Sequence, residues 1–278
     1  MNIQITADST CDLGPALLRA NQIIQLPLYV TLGSEVCRDG VDAMPDDVYA
    51  HVAQGDDCST AALNLADYVN FFSELSRKHD AVIHVCLGSG FSSCYQNAKL
   101  AAAEYPNVYV VDSQNLSSGH GHVVLLAKDL ADEGKSPEEI LAILEDAIPR
   151  VRASFVISQL EYLKRGGRCS SLAALGANLL KLRPSIVVEN GLMHVAKKYH
   201  GKMDRCIREY VRDQLAEVEV VPTRVFITHS GVEDELVAAA REELEQSGLF
   251  REIHVTRAGC TVSCHCGPGT LGVLFLVK

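Results

Sequence analysis

The chain has 278 residues, of which 47% are hydrophobic, and carries a formal net charge of −10. This acidic balance argues against nucleic acid as a partner, because the phosphate backbone is itself negative. No apolar run reaches the ~18 residues that a membrane span needs. The N-terminus enters a strand pattern without a secretory signal, so we expect a cytoplasmic protein whose ten cysteines are mostly buried, free thiols.

Charge is distributed unevenly along the chain. Residues 1–150 contain 8 Lys and Arg against 21 Asp and Glu, a net charge of −13, whereas residues 151–278 contain 17 against 14, a net charge of +3. Such an asymmetry favours two units with different surfaces. We therefore predict an N-terminal domain over residues 1–150 and a C-terminal domain over residues 151–278.

The first half alternates strand and helix patterns. Strands are predicted over residues 3–7, 81–87 and 108–111, and a β-rich run over 23–32 is broken by Pro27. Helices are predicted over 12–21, from 45, over 64–78, from Ser92 or Ser93 to 104, and from 136. Asp12 and Asn64 are the expected N-caps of two of these helices, and S-P-E-E from Ser136 is a capping box. This alternation predicts a parallel sheet covered by helices on both faces.

The second half contains the elements of another α/β unit. Strands are predicted near residues 154–158, 186–189, 193–197, 224–228, 252–256 and 272–277, and helices near 172–180, 203–218 and 232–246. The patterns alone do not give the order of these strands in a sheet.

The loop after the predicted strand 81–87 is a candidate ligand site. It reads G-S-G-F-S up to Ser92 and opens a helix, whose first amides lack acceptors and attract anions. Open α/β sheets hold ligands at the carboxyl ends of their strands, so Ser92 can present its hydroxyl there, with Ser89 and Gly90 lining the pocket. The alternative is a capping serine after a glycine loop.

Two other segments offer hydroxyl groups to the same crevice. Ser9 follows the first strand, and Thr60 lies in what resembles the N-cap region before the helix at Asn64. Each segment has a plain structural alternative, as a strand end or a helix cap.

Two turns carry cationic or imidazole groups. The segment H-C-G-P-G places His265 on a glycine–proline turn between strand-like segments, where Gly267 lets the backbone approach a ligand closely. The segment R-G-G-R ends at Arg168, whose guanidinium can hold a carboxylate, a phosphate or an acidic partner. Both could instead be solvated turns. The thiols near His265, and Cys86 near His84, lack the paired short spacings of zinc sites, so we expect no metal.

Five sequence blocks occur in an order that matches a known family. They read D-S-T-C-D-L from Asp8, G-S-G-F-S-S-C-Y-Q-N-A from Gly88, V-D-S from Val111 followed by Gly119-x-Gly121, L-E-Y-L-K-R-G-G-R from Leu160, and H-C-G-P-G-T from His265. Taken together, over about residues 3–277, they resemble the DegV family of bacterial fatty-acid-binding proteins. Five blocks in order are far more specific than any one of them.

The resemblance implies two α/β domains, the first with a parallel sheet and the second with a mixed sheet. It also implies that a long-chain fatty acid such as palmitate lies in an apolar tunnel, with its carboxylate held between the domains by Thr60, Ser92 and His265. The chain departs from the family where Thr60 begins T-A-A-L-N instead of T-S-Q-P-S, and where S-C rather than G-T follows Ser92.

Some members of the family present the bound acid to a separate ATP-dependent fatty acid kinase. The resemblance therefore implies a non-enzymatic carrier, without a cofactor, a catalytic residue or a nucleotide site of its own. On this hypothesis, Arg168 lies at the rim of the ligand site, where it meets a phosphate or the kinase.

A serine hydrolase is the alternative function. Ser92 follows a strand and opens a helix as a nucleophile does, and Asp112 and His265 follow it in the chain order of the α/β-hydrolases. The hydrolase motif would need glycine where Cys94 stands. Covalent labelling of Ser92 by a phosphonate would distinguish this enzyme from a carrier.

Overall fold

The computed structural model describes residues 1–168 and 182–278, and the helix predicted over 172–180 lies outside them. In chain order the strands are β1 Ile3–Asp8, β2 Ile24–Leu26, β3 Tyr29–Leu32, β4 Glu35–Arg38, β5 Cys58–Ala61, β6 Ala81–Cys86, β7 Val108–Asp112, β8 Val151–Val156, β9 Leu182–Glu189, β10 Leu192–His200, β11 Val220–His229, β12 Glu252–Arg257 and β13 Leu271–Val277. The α-helices are α1 Gly14–Ala20, α2 Pro45–Gln54, α3 Leu65–Leu75, α4 Cys94–Ala102, α5 Ser117–Asp132, α6 Pro137–Ala147, α7 Leu160–Gly166, α8 Met203–Leu215, α9 Asp234–Ser247 and α10 Cys260–Cys266.

Three sheets organise these elements. The first is entirely parallel, in the order β2-β1-β6-β7, and every residue of β6 is buried, as expected for a strand covered on both faces. A small antiparallel sheet has the order β4-β3-β5. The third, β10-β9-β8-β13-β11-β12, is mixed, because only β11 and β12 pair in parallel. The predicted fold class, a parallel sheet followed by a mixed one, is confirmed.

The partition into domains 1–150 and 151–278 stays a prediction. All strands of the parallel sheet precede residue 113, and all strands of the mixed sheet follow residue 150. However, the largest hydrophobic cluster takes buried side chains from both halves, including Val85 and Leu87 from the first and Phe155 and Val188 from the second.

Helix α5 contacts strands of both larger sheets and is mostly buried. A Cβ atom added at Gly119 would lie 2.1 Å from Asn115 Oδ1, and one added at Gly121 would lie 2.6 Å from the carbonyl oxygen of Cys11. The two glycines of the G-x-G block therefore allow this helix to pack closely against its neighbours.

Several local predictions are confirmed. Asn64 caps α3 by accepting a hydrogen bond from the Asp67 amide at 3.0 Å, and Ser136 accepts one from the Glu139 amide at 3.3 Å in the expected capping box. Helix α2 begins at Pro45 with two acidic residues in its first turn, where they suit the helix dipole.

Other local predictions are wrong. Asp12 does not cap α1, because the helix begins at Gly14 and the Asp12 carboxylate bonds elsewhere. Cys58 to Ala61 form strand β5 rather than a helix N-cap region. The segment before the glycine–proline turn is helix α10 rather than a strand, so His265 lies in the last turn of a helix.

Candidate functional site

A cavity of about 340 Å³ lies between elements from the two halves of the chain. Most of its wall is apolar, including Phe91, Phe155, Leu163, Val188, Met193 and Leu274. The polar residues Thr60, Ser92, Arg168 and His265 also line it. The structure thus brings together four predicted site residues that are widely separated in the sequence.

Thr60 and His265 form the closest polar pair of this group. The hydroxyl of Thr60, on strand β5, lies 2.8 Å from Nε2 of His265, on helix α10. Thr60 is fixed by the small sheet, where it pairs with Val30 of the central strand β3. The pair therefore links the small sheet to α10 at the cavity wall.

The imidazole of His265 is neutral at pH 7. Burial lowers its pKa, and the nearby Arg168 guanidinium lowers it further, to about 4. Its buried Nδ1 has no hydrogen-bond partner among the described residues, and a Cβ atom added at Gly166 would lie 2.2 Å from that nitrogen. The ring is therefore held between the Thr60 hydroxyl on one side and the backbone of α7 on the other.

Ser92 lies in the loop between β6 and α4. Ser93, not Ser92, is the N-cap of α4, while the Ser92 hydroxyl accepts a hydrogen bond from the Cys94 amide at 3.3 Å and donates to Cys94 Sγ at 3.2 Å. These contacts are weak enough for the hydroxyl to turn toward a stronger acceptor.

Arg168 connects the Ser92 loop to helix α7. Its Nη1 donates to the carbonyl oxygen of Gly166 at 2.6 Å, and its Nε lies 3.4 Å from that of Phe91, the residue before Ser92. Together with Thr60 and His265 it also lines a smaller cavity of about 120 Å³, which Arg165 and Tyr162 border as well. Arg168 thus lies where the two cavities meet.

The remaining predicted pocket residues are not among those that line the main cavity in the described parts of the chain. Ser9 donates to Asp39 at 3.1 Å, Ser89 donates to Asp112 at 2.5 Å, and Gly90 and Gly267 pack against Gly191 and Tyr162. Their role in ligand binding stays a prediction.

The polar lining residues that the sequence analysis did not single out include three consecutive ones, Thr228, His229 and Ser230. They lie at the end of β11, just as Ser92 follows β6. These residues could have been predicted, because ligands bind at the carboxyl ends of strands and the strand near 224–228 was itself predicted.

The geometry does not favour a serine hydrolase. A catalytic triad needs a carboxylate on the ring nitrogen that does not face the nucleophile. Asp112 instead accepts hydrogen bonds from the Ser89 amide and hydroxyl and from the Gln114 amide. Nδ1 of His265 has no partner in the part of the chain that the structure describes.

A second polar cluster is buried within the parallel sheet, on its neighbouring strands β1 and β6. Ligand-type atoms of Asp8, His84 and Cys86 lie within 4.8 Å of one another. The Asp8 carboxylate already accepts hydrogen bonds from Tyr68 at 2.8 Å, from His84 at 3.2 Å and from the Leu87 amide at 2.8 Å. We interpret the cluster as a satisfied structural network.

Comparison with known proteins gives a consistent result. The protein family described as "Uncharacterised protein, DegV family" matches residues 2–278. A DegV domain-containing protein of Caldanaerobacter subterraneus is 31% identical over 283 residues, covering 99% of each chain.

Two solved structures are similar over the full length of both chains. A DegV family protein of Thermus thermophilus, described for its fatty acid binding, is 33% identical with a TM-score of 0.91. DegV of Bacillus subtilis, described as a fatty acid binding protein, is 27% identical with a TM-score of 0.85. In the described residues of the present chain, no helix combines the length and apolar character of a membrane span.

Proposed function

This chain belongs to the DegV family, and on that premise we propose that it binds a long-chain fatty acid, with the carboxylate beside Thr60, Ser92 and His265 and the tail in the apolar cavity. The observation that carries the proposal is the Thr60–His265 pair, at 2.8 Å, in the wall of an otherwise mostly apolar cavity. A site of this kind suits a ligand with one polar end and a long apolar body.

The polar end supplies hydrogen bonds and one positive charge. A carboxylate removed from water is stable only where it is hydrogen-bonded or paired with a charge. Because His265 is neutral, its Nε2–H can donate to the Thr60 oxygen, which leaves the Thr60 hydroxyl proton for the carboxylate. Ser92 adds a second hydroxyl, and Arg168 provides the charge.

The apolar part of the cavity provides most of the binding free energy. Each buried methylene contributes about 0.8 kcal/mol. A chain of about sixteen carbons can therefore bind tightly even after the loss of its translational and rotational freedom. This supports a fatty acid such as palmitate rather than a short carboxylic acid.

Substitution of the two hydroxyl residues tests the polar end. Ser92→Ala and Thr60→Val should each weaken palmitate binding by about 1–3 kcal/mol, the cost of leaving a buried charged acceptor without a donor. Thr60→Ser, which keeps the hydroxyl, is the matched control and should bind nearly as the wild type does. Titration calorimetry measures the affinities. Unchanged palmitate affinity in both Ser92→Ala and Thr60→Val would contradict the assignment of these hydroxyl groups to the carboxylate site.

We further propose that the protein presents the bound acid to an ATP-dependent fatty acid kinase. The first support is the position of Arg168, which lines both the main cavity and the smaller one. The second is the net charge of +3 in residues 151–278, which contain 17 basic and 14 acidic residues. A guanidinium at this place can meet a phosphate or an acidic protein surface.

Arg168→Ala tests the presentation step. It should keep much of the palmitate affinity, which comes from the tail, but reduce acyl-phosphate formation by a fatty acid kinase. Arg168→Lys should restore only part of the turnover, because lysine lacks the bidentate fork. Wild-type turnover by the Arg168→Ala variant would show that this residue is merely structural.

A further inference from the structure

Asp39 is a buried carboxylate that joins the small sheet to helix α10. It directly follows strand β4 and is 3% exposed. Its Oδ1 accepts a hydrogen bond from the Cys260 amide at 2.7 Å, and its Oδ2 accepts one from the Thr261 amide at 3.1 Å. These amides are in the first turn of α10, where no acceptor exists within the helix.

The two elements that Asp39 joins each carry one member of the Thr60–His265 pair. Thr60 lies on β5 and Asp39 lies at the end of β4, and both strands pair with β3. Val30 of β3, Val48 of helix α2 and Cys260 of α10 are buried in one hydrophobic cluster. Sheet and helix are therefore joined at two polar points, the Asp39 cap and the Thr60–His265 contact, with apolar packing between them.

A short helix transmits a displacement from one end to the other. Thr261 and His265 are one turn apart, about 6 Å at 1.5 Å per residue, and both line the main cavity. A hydrogen bond of 2.8 Å weakens once its atoms separate by a few tenths of an ångström beyond about 3.2 Å. Small movements of the capped end thus suffice to break the contact at the other end.

We propose that Asp39 is a positioning residue, which fixes α10 against the small sheet and so holds the His265 imidazole on the Thr60 hydroxyl. The expected consequence, selective binding of a carboxylate, rests on the proposed function, whereas the placement of His265 by Asp39 does not. Asp39 itself is not among the residues that line the main cavity in the described ranges, so it acts through α10 rather than on the ligand.

The test compares Asp39→Asn with Asp42→Asn. Asparagine is nearly isosteric with aspartate but replaces one accepting oxygen by a donor, so one first-turn amide of α10 loses its acceptor. Asp42, three residues away, is half-exposed and bonds only Arg38 in the described structure, so its substitution removes the same charge without touching α10. Asp39→Ser, whose single and shorter hydroxyl likewise leaves at least one of these two amides without its acceptor, replaces Asp39→Asn with the same expected results if that variant does not fold.

Two measurements are made on the folded variants. The first is the affinity for palmitate and for hexadecanol, which has the same tail without the carboxylate. The second is the imidazole NMR signal of His265, assigned by its loss in His265→Ala. Asp39→Asn should weaken palmitate binding by about tenfold or more, change hexadecanol binding by less than about threefold, and shift the His265 signal. Asp42→Asn should change none of these.

The outcomes separate this inference from the proposed function. An unshifted His265 signal in Asp39→Asn, or an equal loss of palmitate and hexadecanol binding, would overturn the positioning role. If the wild type itself binds neither compound, the proposed function fails, while a shifted His265 signal would still support the role of Asp39 in placing the imidazole.

Discussion

The protonation state of His265 determines whether its imidazole adds a positive charge to the polar end of the cavity. Burial and the Arg168 guanidinium lower the pKa of its imidazole to about 4, so the ring stays neutral above about pH 5. Under the proposed function, the positive charge offered to the fatty acid carboxylate comes instead from Arg168, which also lines the cavity. The imidazole contributes direction, because Thr60 orients one of its nitrogens and Gly166 confines the other.

Gly166 leaves the space that the imidazole occupies. In Gly166→Ala the new methyl group would lie 2.2 Å from Nδ1 of His265, so the ring must move. We expect a loss of about 1–3 kcal/mol in stability, as for other overpacked sites, together with weaker palmitate binding. Urea unfolding and calorimetry measure the two effects.

A double substitution identifies the cause of that loss. In a His265→Ala background the obstacle is absent, and alanine is a better helix former than glycine at the end of α7. Gly166→Ala should then be neutral or slightly stabilising, which gives a coupling energy of about 1–3 kcal/mol between the two sites. Equal destabilisation in both backgrounds would contradict a role of Gly166 in placing the ring.

The residues of the site could be predicted only in part from physical chemistry. Ser92 follows from its place after a buried strand and before a helix, and Arg168 from its charge in a glycine-rich turn. The pairing of Thr60 with His265 could not follow from local patterns, because 205 positions separate them. The family resemblance implied that both residues hold the carboxylate, but their direct contact was not predicted. Asp39 was predicted neither from the residues nor from the resemblance.

At the scale of elements, prediction succeeded where local signals were strong. The buried strand β6, the N-cap Asn64 of α3 and the capping box of α6 were predicted from their sequence patterns. Helix α5 was missed because its first turns contain two serines and two glycines, which are weak helix formers, and its stability comes from burial between the sheets. Helix α10 was missed because its N-terminus is capped by the distant Asp39 rather than by a residue beside it in sequence.

Asp12 provides a pH-dependent link between α5 and α10. Its carboxylate accepts hydrogen bonds from the Ser117 hydroxyl at 2.6 Å and from the Gly259 amide at 2.8 Å. Burial raises its pKa to about 8, with a smaller contribution from the charge of Asp39. Between about pH 4 and about pH 8 the folded state therefore holds a proton that the unfolded state has lost, so this group's contribution to stability falls as the pH rises.

Asp12→Asn should flatten the pH dependence of unfolding. Asparagine keeps an acceptor for Gly259 and offers a donor to Ser117, but it cannot ionise. Between pH 5 and pH 8 the free energy of unfolding should fall less steeply than in the wild type, by up to about 1.4 kcal/mol per pH unit. Asp42→Asn is the control, because the pKa of that exposed carboxyl is already lowered to about 2 by Arg38. Parallel profiles for Asp12→Asn and the wild type would contradict a buried, protonated Asp12.

At the scale of the whole molecule, the two larger sheets meet around α5 and leave the cavity between elements of both halves. The alternation of strands and helices predicted the parallel sheet, and the charge asymmetry suggested two units. The cavity could not be predicted from such patterns, because its wall combines side chains from strand ends, loops and helices of both halves. An apolar space of this kind is typical of a protein that holds a ligand.

Native mass spectrometry of the recombinant protein tests the central claim most directly. Purified without added lipid, the wild type should carry a non-covalent ligand with the mass of a long-chain fatty acid of about sixteen carbons, or acquire one from palmitate. The double variant Ser92→Ala and Thr60→Val should retain markedly less of it in the same preparation. A folded wild-type protein that carries no such mass, and takes up no palmitate when it is supplied, would contradict the account.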